Sequence, residues 1–357
     1  MKRIICIFLL FAMLFAVSGC SQRELAQQQL AQAKEENRHE ATTFAMDTIM
    51  TLTVYDENGE QILIDAEQRI RELERLFSVT IENSEISQLN QNAGISPVSI
   101  STDTIQILQA AKDISALTNG CYDMTISPVV KLWGFTEDAH HVPTQAELDT
   151  KLPLVDFSKV ILSQEEQTAF LENSGMAVDL GGIAKGYTSD AVTNLMRQSG
   201  VKSALIWLGG NISALGNKPD GTPWKIAVEN PLDSSDYVGL IEVTDKSVIT
   251  SGGYQRYFEQ DGKRYHHIID PATGYPAENG LLSVTIISEN GTKADALSTA
   301  LFVMGLEDAL TFWRQSDDFE AIFVTNDGRV IATEGIANDF SFEGVDNDFV
   351  YETAKRQ

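Results

Sequence analysis

The chain has 357 residues, 43% of them hydrophobic and 22% charged, which is ordinary globular usage and excludes both a disulfide-stapled miniprotein and wholesale disorder. Its 26 Lys and Arg against 51 Asp and Glu give a formal net charge of −25, a field that repels polyphosphate backbones, so nucleic acid is not expected as a partner and any small anionic ligand needs a cation to offset that field. The three Cys, at positions 6, 20 and 121, are too few and too scattered for a disulfide framework or a thiolate zinc site.

The N-terminus reads as an address. Met1-Lys2-Arg3 is basic, Ile4 to Val17 is apolar, and Val17-Ser18-Gly19-Cys20 follows. The apolar run is shorter than the roughly 20 residues that a permanent span requires, so the pattern is a secretory signal. Small residues directly before Cys20 predict a lipobox: cleavage after residue 19, acylation of Cys20 and a lipid anchor on the extracytoplasmic face of the cell membrane. An ordinary signal with an incidental Cys is the alternative. Residues 20–40, rich in Gln, Ala and Glu, read as the lipidated Cys and a tether, which leaves 41–357 as one folded domain.

Alternation of Phe44, Met46, Met50, Leu52 and Val54 predicts a strand from Thr43 to Tyr55, closed by the turn Asp56-Glu57-Asn58-Gly59. Ile62, Ala66, Ile70, Leu73 and Phe77 form one helical stripe. A second helix should start near Ser101-Thr102-Asp103, carry Ile105, Leu108, Ile114 and Leu117, and stop at Asn119-Gly120; Thr144 with Glu147 predicts a capping box for a third. Ala177 to Leu180 reads as a strand running into glycines, followed by a helix over 183–198. Strands are predicted at 204–208, 224–228, 238–243 and 282–287, hairpins at Asp261-Gly262 and Asp327-Gly328, and helices at 294–304 and 307–315. Strands and helices mix without βαβ alternation, so the predicted class is α+β.

Four segments could carry chemistry. Asp179-Leu180-Gly181-Gly182-Ile183-Ala184-Lys185-Gly186-Tyr187 places glycines, a helix start and a Lys where an anion could sit, although a tight turn with a surface Lys reads equally well. Asp295 and Thr299, four apart on one helix face, offer hard oxygens suited to Mg²⁺; a solvated helix face is the plain alternative. His266-His267-Ile268-Ile269-Asp270-Pro271 sets an imidazole beside a carboxylate at a turn, where His267 could accept a proton and Asp270 or Asp179 could orient it, or where the ring could simply bond the turn. Cys121 in Gly120-Cys121-Tyr122-Asp123 has no neighbouring activator and reads as a buried filler.

Taken in order, Met46-Asp47-Thr48, Ser84-Glu85-Ile86-Ser87 with Leu89-Asn90, Tyr122-Asp123 with Pro128, Trp133-Gly134-Phe135, Asp179 to Tyr187, Leu208-Gly209-Gly210-Asn211-Ile212, His267 to Gly274, and Ala294-Asp295-Ala296 with Thr299 resemble the ApbE family of FAD:protein FMN transferases. The resemblance implies an α+β, T-fold-like domain that uses Mg²⁺ to move FMN from FAD onto a Thr or Ser hydroxyl of an exported acceptor protein, through a phosphoester bond and with release of AMP. It implies metal ligation by Asp295, Thr299 and the Gly182 carbonyl, and FAD contacts at Met46, Thr80, Cys121, Tyr122, Asp123, Asp179, Lys185 and Ile268. Thr80 stands where many members carry an aromatic, and Thr292 where some carry an additional metal-site carboxylate, which argues against a second ion. The acceptor should carry a Ser-Gly-Ala-Thr/Ser-Thr-like motif; none occurs in this chain. A Mg²⁺-dependent FAD pyrophosphatase yielding FMN and AMP, and a flavin-binding lipoprotein without turnover, are the alternatives.

Overall fold

The computed structural model describes residues 37–135 and 139–356; the expected signal, Cys20 and most of the tether lie outside the described residues. The described residues open on a hairpin of β1 (Arg38–Ala45) and β2 (Thr48–Tyr55). This hairpin replaces the single strand expected over 43–55. Its turn is Met46-Asp47, both left-handed with φ of 49° and 61°, the pair of positive values that a two-residue hairpin requires. Met is not a turn residue by preference, and Met46 continued the apolar alternation, which hid the reversal.

α1 (Gly59–Phe77), α2 (Glu85–Gln91), β3 (Val98–Ser99) and α3 (Thr102–Leu117) follow. The predicted stripe is the buried face of α1. α3 starts at Ser101, whose hydroxyl accepts from the Thr104 amide, but its core contribution includes the fully buried Ile107, while Leu117 in the last turn is 50% exposed. Next come α4 (Ser127–Trp133), α5 (Gln145–Lys151), which starts on the expected Thr144–Glu147 capping box, β4 (Val160–Ser163) and β5 (Thr168–Leu171). After α6 (Ala184–Gln198) the strands are β6 (Ala204–Leu208), β7 (Asn211–Leu215), β8 (Trp224–Asn230), β9 (Asp233–Val243), β10 (Ser247–Gly252), β11 (Tyr257–Gln260), β12 (Lys263–His266) and β13 (Leu281–Ser288). α7 (Gly291–Met304), α8 (Leu306–Arg314), β14 (Glu320–Thr325), β15 (Arg329–Thr333), β16 (Phe340–Phe342) and β17 (Val350–Ala354) complete the chain. Both expected hairpins are present, as β11–β12 and β14–β15.

Nine strands form one sheet in the order β1-β2-β6-β7-β10-β13-β14-β15-β17, and among them only β15 and β17 pair in parallel. Successive side chains go to opposite cores, as the two-residue period of a strand dictates. Ile249, Ile286, Ala321, Phe323 and Ile331 pack with the helices. Val248, Ile287, Ile322, Val324 and Val330 pack with Trp224, Ile226, Ile241 and Phe340 of the small sheet β16-β9-β8. A sheet covered on both faces reads as continuous apolar sequence rather than alternation. The α+β class is as expected.

The helical side carries the site. α6 and α7 cross so closely that a Cβ on Gly186 would lie 2.2 Å from the Gly291 carbonyl oxygen and 2.6 Å from Asp295 Cβ. The two helices also cap one another. Asp190 on α6 accepts from the Gly291 amide (2.9 Å), the Thr292 amide (2.8 Å) and the Thr292 hydroxyl (2.6 Å) at the start of α7. Asp295 on α7 accepts from the Gly186 amide (2.8 Å) in the first turn of α6, whose N-cap residue, Ile183, makes no capping side-chain bond. Each carboxylate thus meets the positive end of the other helix. Gly186→Ala should force this crossing apart and lower unfolding free energy by about 1–3 kcal/mol; a urea midpoint equal to that of the unmodified protein would show that the helices can separate at no cost.

Candidate functional site

A cavity of about 770 Å³ opens at the β1–β2 turn, the 120–126 segment, the start of α6 and the second turn of α7. Met46, Thr80, Cys121, Tyr122, Asp123, Asp179, Gly182, Lys185, His267, Ile268, Asp295 and Thr299 all line it. Residues as distant in sequence as Met46 and Thr299 therefore share one space, whereas Asp270 is not in its lining and Cys20 lies outside the described residues.

The segment expected to be a strand at Ala177–Leu180 pairs with no other strand. An amide side chain stands in for the neighbour: Asn90 Nδ2 donates to the Val178 carbonyl (2.9 Å) and the Val178 N–H donates to Asn90 Oδ1 (2.7 Å). The Asp179 amide donates to the Met124 carbonyl at 2.8 Å. Asp179 then accepts from the Gly181 amide at 2.7 Å, which shapes the glycine turn into α6. The Ser84-Glu85-Ile86-Ser87 stretch is scaffolding for the opposite wall. Ser84 caps α2 and donates to the Ser78 carbonyl, while Glu85 accepts from the Ser101 amide at 2.9 Å, tying down the loop that carries Thr80.

Asp295 is 4% exposed, so the helix-face alternative of a solvated carboxylate does not hold. Its Oδ2 accepts from the Gly186 amide, and no other side-chain hydrogen bond to this carboxylate is formed among the described residues. Thr299 Oγ1 is 3.3 Å from Ser251 Oγ, and Ser251 is fixed in turn by Ser298 at 2.7 Å. Gly182 closes this cluster: a Cβ there would lie 3.4 Å from Thr299 Oγ1 and 3.2 Å from the Tyr122 ring. The Tyr122 hydroxyl is buried with no hydrogen-bond partner among the described residues, and burial followed by Asp295, Asp179 and Asp123 raises its pKa. Among the described residues no group of three or more His, Cys, Asp or Glu could hold a metal. The ligands that the resemblance implies, the Asp295 carboxylate, the Thr299 hydroxyl and the Gly182 carbonyl, belong to residues that all line this cavity and are of the hard-oxygen type that Mg²⁺ takes.

Asp123 is a positioning group. Its Oδ1 accepts from the Thr125 amide (2.8 Å) and hydroxyl (2.6 Å) and its Oδ2 from the Phe157 amide (3.1 Å), and burial raises its pKa against those bonds. Cys121 is half-buried, and burial with Asp270 and Asp308 raises its thiol pKa, which argues against a nucleophile. Lys185 Nζ reaches the Gly181 carbonyl at 3.4 Å.

The partner of His267 differs from the one expected. Asp270 is committed to its own turn, accepting from the Ala272 amide (2.9 Å) and the Thr273 hydroxyl (3.1 Å). The His267 ring is oriented by the Arg256 carbonyl, 3.0 Å from Nδ1. A carbonyl can only accept, so Nδ1 carries the proton and Nε2 keeps its lone pair. Burial is the main cause that lowers the pKa to about 4; the Arg256 carbonyl opposes it, and His266, the Arg256 guanidinium and Lys185 reinforce it. Arg256 had no motif around it in sequence. Its side chain donates to the Phe135 carbonyl and lies 3.8 Å from Asp47. Ser251, Arg256 and Glu74, which accepts from the Met46 amide at 2.6 Å, are the site residues that sequence reading missed.

This chain is matched by the ApbE family model over residues 46–323. The chain belongs to the ApbE family. It is 41% identical over 265 residues to the FAD:protein FMN transferase of Klebsiella pneumoniae (strain 342), covering 74% of this chain and 82% of that protein. Its fold is similar to the crystal structure of the ApbE protein from Thermotoga maritima, with TM-score 0.79 and 32% identity over 85% of this chain and 99% of the other. It is also similar to a His-to-Gly mutant of the flavin transferase ApbE from Vibrio cholerae, with TM-score 0.76 and 31% identity over the same shares, 85% and 99%.

Within this ApbE fold the His267 imidazole should titrate near pH 4 as its Nδ1–H tautomer, which two-bond ¹H–¹⁵N NMR would read. Because its folded pKa lies below the unfolded value of about 6.5, the group contributes stability above that pH that is lost as pH falls toward 4. A midpoint near 6.5, or an Nε2–H tautomer, would contradict this assignment.

Proposed function

We infer that the chain works as its relatives are named to work: it is a FAD:protein FMN transferase that binds FAD in this cavity with one Mg²⁺ and links FMN to a Ser or Thr hydroxyl of a second protein. One observation carries the reading. Among the described residues the cavity is lined by Asp47, Glu74, Asp123, Asp179 and Asp295 against only Lys185 and Arg256 as full cations, so a pyrophosphate is repelled unless a divalent cation accompanies it. Asp295, Thr299 and the Gly182 carbonyl would hold that ion. When bound, Mg²⁺ supplies neutralisation of pyrophosphate oxygens and of the charge that develops on the AMP leaving group.

The protein's own residues supply positioning and proton transfer. Lys185 offers a local positive charge at the start of α6, where helix amides also favour a phosphate. His267 Nε2 takes the proton of the acceptor hydroxyl as that oxygen attacks the FMN phosphorus; the phosphorus–oxygen bond to AMP breaks, and AMP leaves with the electron pair. FMN remains on the acceptor as a phosphoester. An anionic substrate near Lys185 and Arg256 offsets the charges that depress His267, raising its basicity when it is needed. The acceptor is an exported protein with a Ser-Gly-Ala-Thr/Ser-Thr-like motif, met by an enzyme held at the outer face of the cell membrane through acylated Cys20.

Full-length protein in detergent, FAD, Mg²⁺ and a peptide carrying such a motif should give a peptide mass gain equal to FMN, abolished by EDTA and reduced at least about a hundredfold by Asp295→Ala or His267→Ala. Free FMN and AMP with unmodified peptide would identify a pyrophosphatase instead, and FAD recovered whole would identify a binding protein. Cys20→Ala, expressed in a bacterial host, should move the protein out of the membrane fraction; retention there would remove the lipid anchor from this account.

A further inference from the structure

The Leu208-Gly209-Gly210-Asn211-Ile212 segment turns β6 into β7 at the cavity, and the function described so far uses none of its side chains. Asn211 begins β7, lines the cavity and is 2% exposed. Its Nδ2 is enclosed and has no hydrogen-bond partner among the described residues. Buried side-chain amides normally have partners, because leaving one unpaired is destabilising. An unpaired donor on a side chain that lines a cavity is a candidate for an acceptor that arrives with a ligand, reached by a small turn of the amide that uncovers it.

The register says which part of the ligand. Asn211 stands opposite Ile249 of β10, so the two side chains share the helical face of the sheet. Ser251 lies two residues beyond Ile249 and therefore on that same face. Its hydroxyl is 3.3 Å from Thr299 Oγ1. A diagonal neighbour across a strand pair is about 7–8 Å away, a distance that one asparagine side chain and one phosphate oxygen can bridge. Asn211, Ser251, Thr299 and Asp295 all line the cavity, the first two set diagonally across β7 and β10. Gly210, with φ of 95°, turns the chain just before Asn211.

We propose that Asn211 is a binding residue for the pyrophosphate, donating a hydrogen bond from Nδ2 to a phosphate oxygen of FAD. The proposal rests on the reading of this cavity as an FAD site and adds a donor that neither the metal cluster nor Lys185 provides. Asn suits the position because it donates without adding charge next to Asp295, whereas a Lys there would pair with that carboxylate and compete with the metal.

The test is FAD binding followed by flavin fluorescence with full-length protein in detergent and Mg²⁺, with ADP-ribose, which carries the pyrophosphate without the ring system, as a competitor. Asn211→Leu should weaken FAD and ADP-ribose alike by at least about tenfold, since the lost bond is to a charged group. Its ligand-free thermal midpoint should be no lower than that of the unmodified protein, because an apolar group of similar size replaces an unpaired amide. Asn211→Asp, which keeps the shape and removes the donor, should weaken both ligands further and carries the test if the Leu variant does not fold. FAD affinity within about twofold of the unmodified protein in the folded variants would overturn the proposal, as would weakened FAD with unchanged ADP-ribose, which would place the contact on the flavin ring. Failure of the unmodified protein to bind FAD at all would instead overturn the FAD-site reading, and this inference with it.

Discussion

The crossing of α6 and α7 is the constraint on which the site depends. Two helices can approach at the distance seen here only where a glycine meets the partner backbone, and Gly186 does so against Gly291 and Asp295. That contact brings the Asp295 carboxylate to an otherwise uncapped amide of α6. It also brings Asp190 to the free amides of α7. The same contacts that join the helices therefore hold the Asp295 carboxylate in the cavity lining beside the start of α6. The helix crossing and the placing of Asp295, Thr299 and Gly182 around the cavity are thus parts of one arrangement.

This arrangement has an electrostatic cost that makes chemical sense of the cavity. Burial raises the pKa of Asp190, with Asp295 adding to the shift, because two carboxylates are being held near each other away from water. Asp190 answers this with three donors. Asp295 has one among the described residues, and it lines the cavity with Thr299 and Gly182. A structural ion-pair network would have placed an Arg or Lys there. Hard oxygens there would suit an exchangeable divalent cation, as the proposed reading requires.

Much of the fold could be read from local pattern. The stripe on α1, the α5 capping box and the Asp-Gly hairpins are written within a few residues, and they appear where the pattern places them. What escaped was set by distant partners. Ile183 is a poor cap by type because its helix is capped from α7. Ala177–Leu180 looks like a strand because it is extended and apolar, yet its neighbour is the amide of Asn90. His267 beside Asp270 suggests a local pair, but the turn consumes that carboxylate, and a carbonyl from Arg256 takes its place. The site residues with motifs around them were legible; Ser251, Arg256 and Glu74 were not, since their roles come from strand register and helix packing and leave no signature in neighbouring sequence.

The balance of charge around the cavity also fixes an order of dependence between its ligands. With carboxylates outnumbering cations along its walls, the cavity attracts a divalent ion and repels a pyrophosphate, so each bound species lowers the cost of the other. Coupling of that kind is reciprocal: whatever factor the metal gives to nucleotide affinity, the nucleotide returns to metal affinity. A mononucleotide carries one phosphate group instead of a bridged pair and would return less of it, so on the proposed reading the coupling between nucleotide and metal would weaken after transfer. On the proposed reading the protein's negative charge, which at first counts against an anionic substrate, would keep the site selective for a metal-bound dinucleotide and would let AMP go.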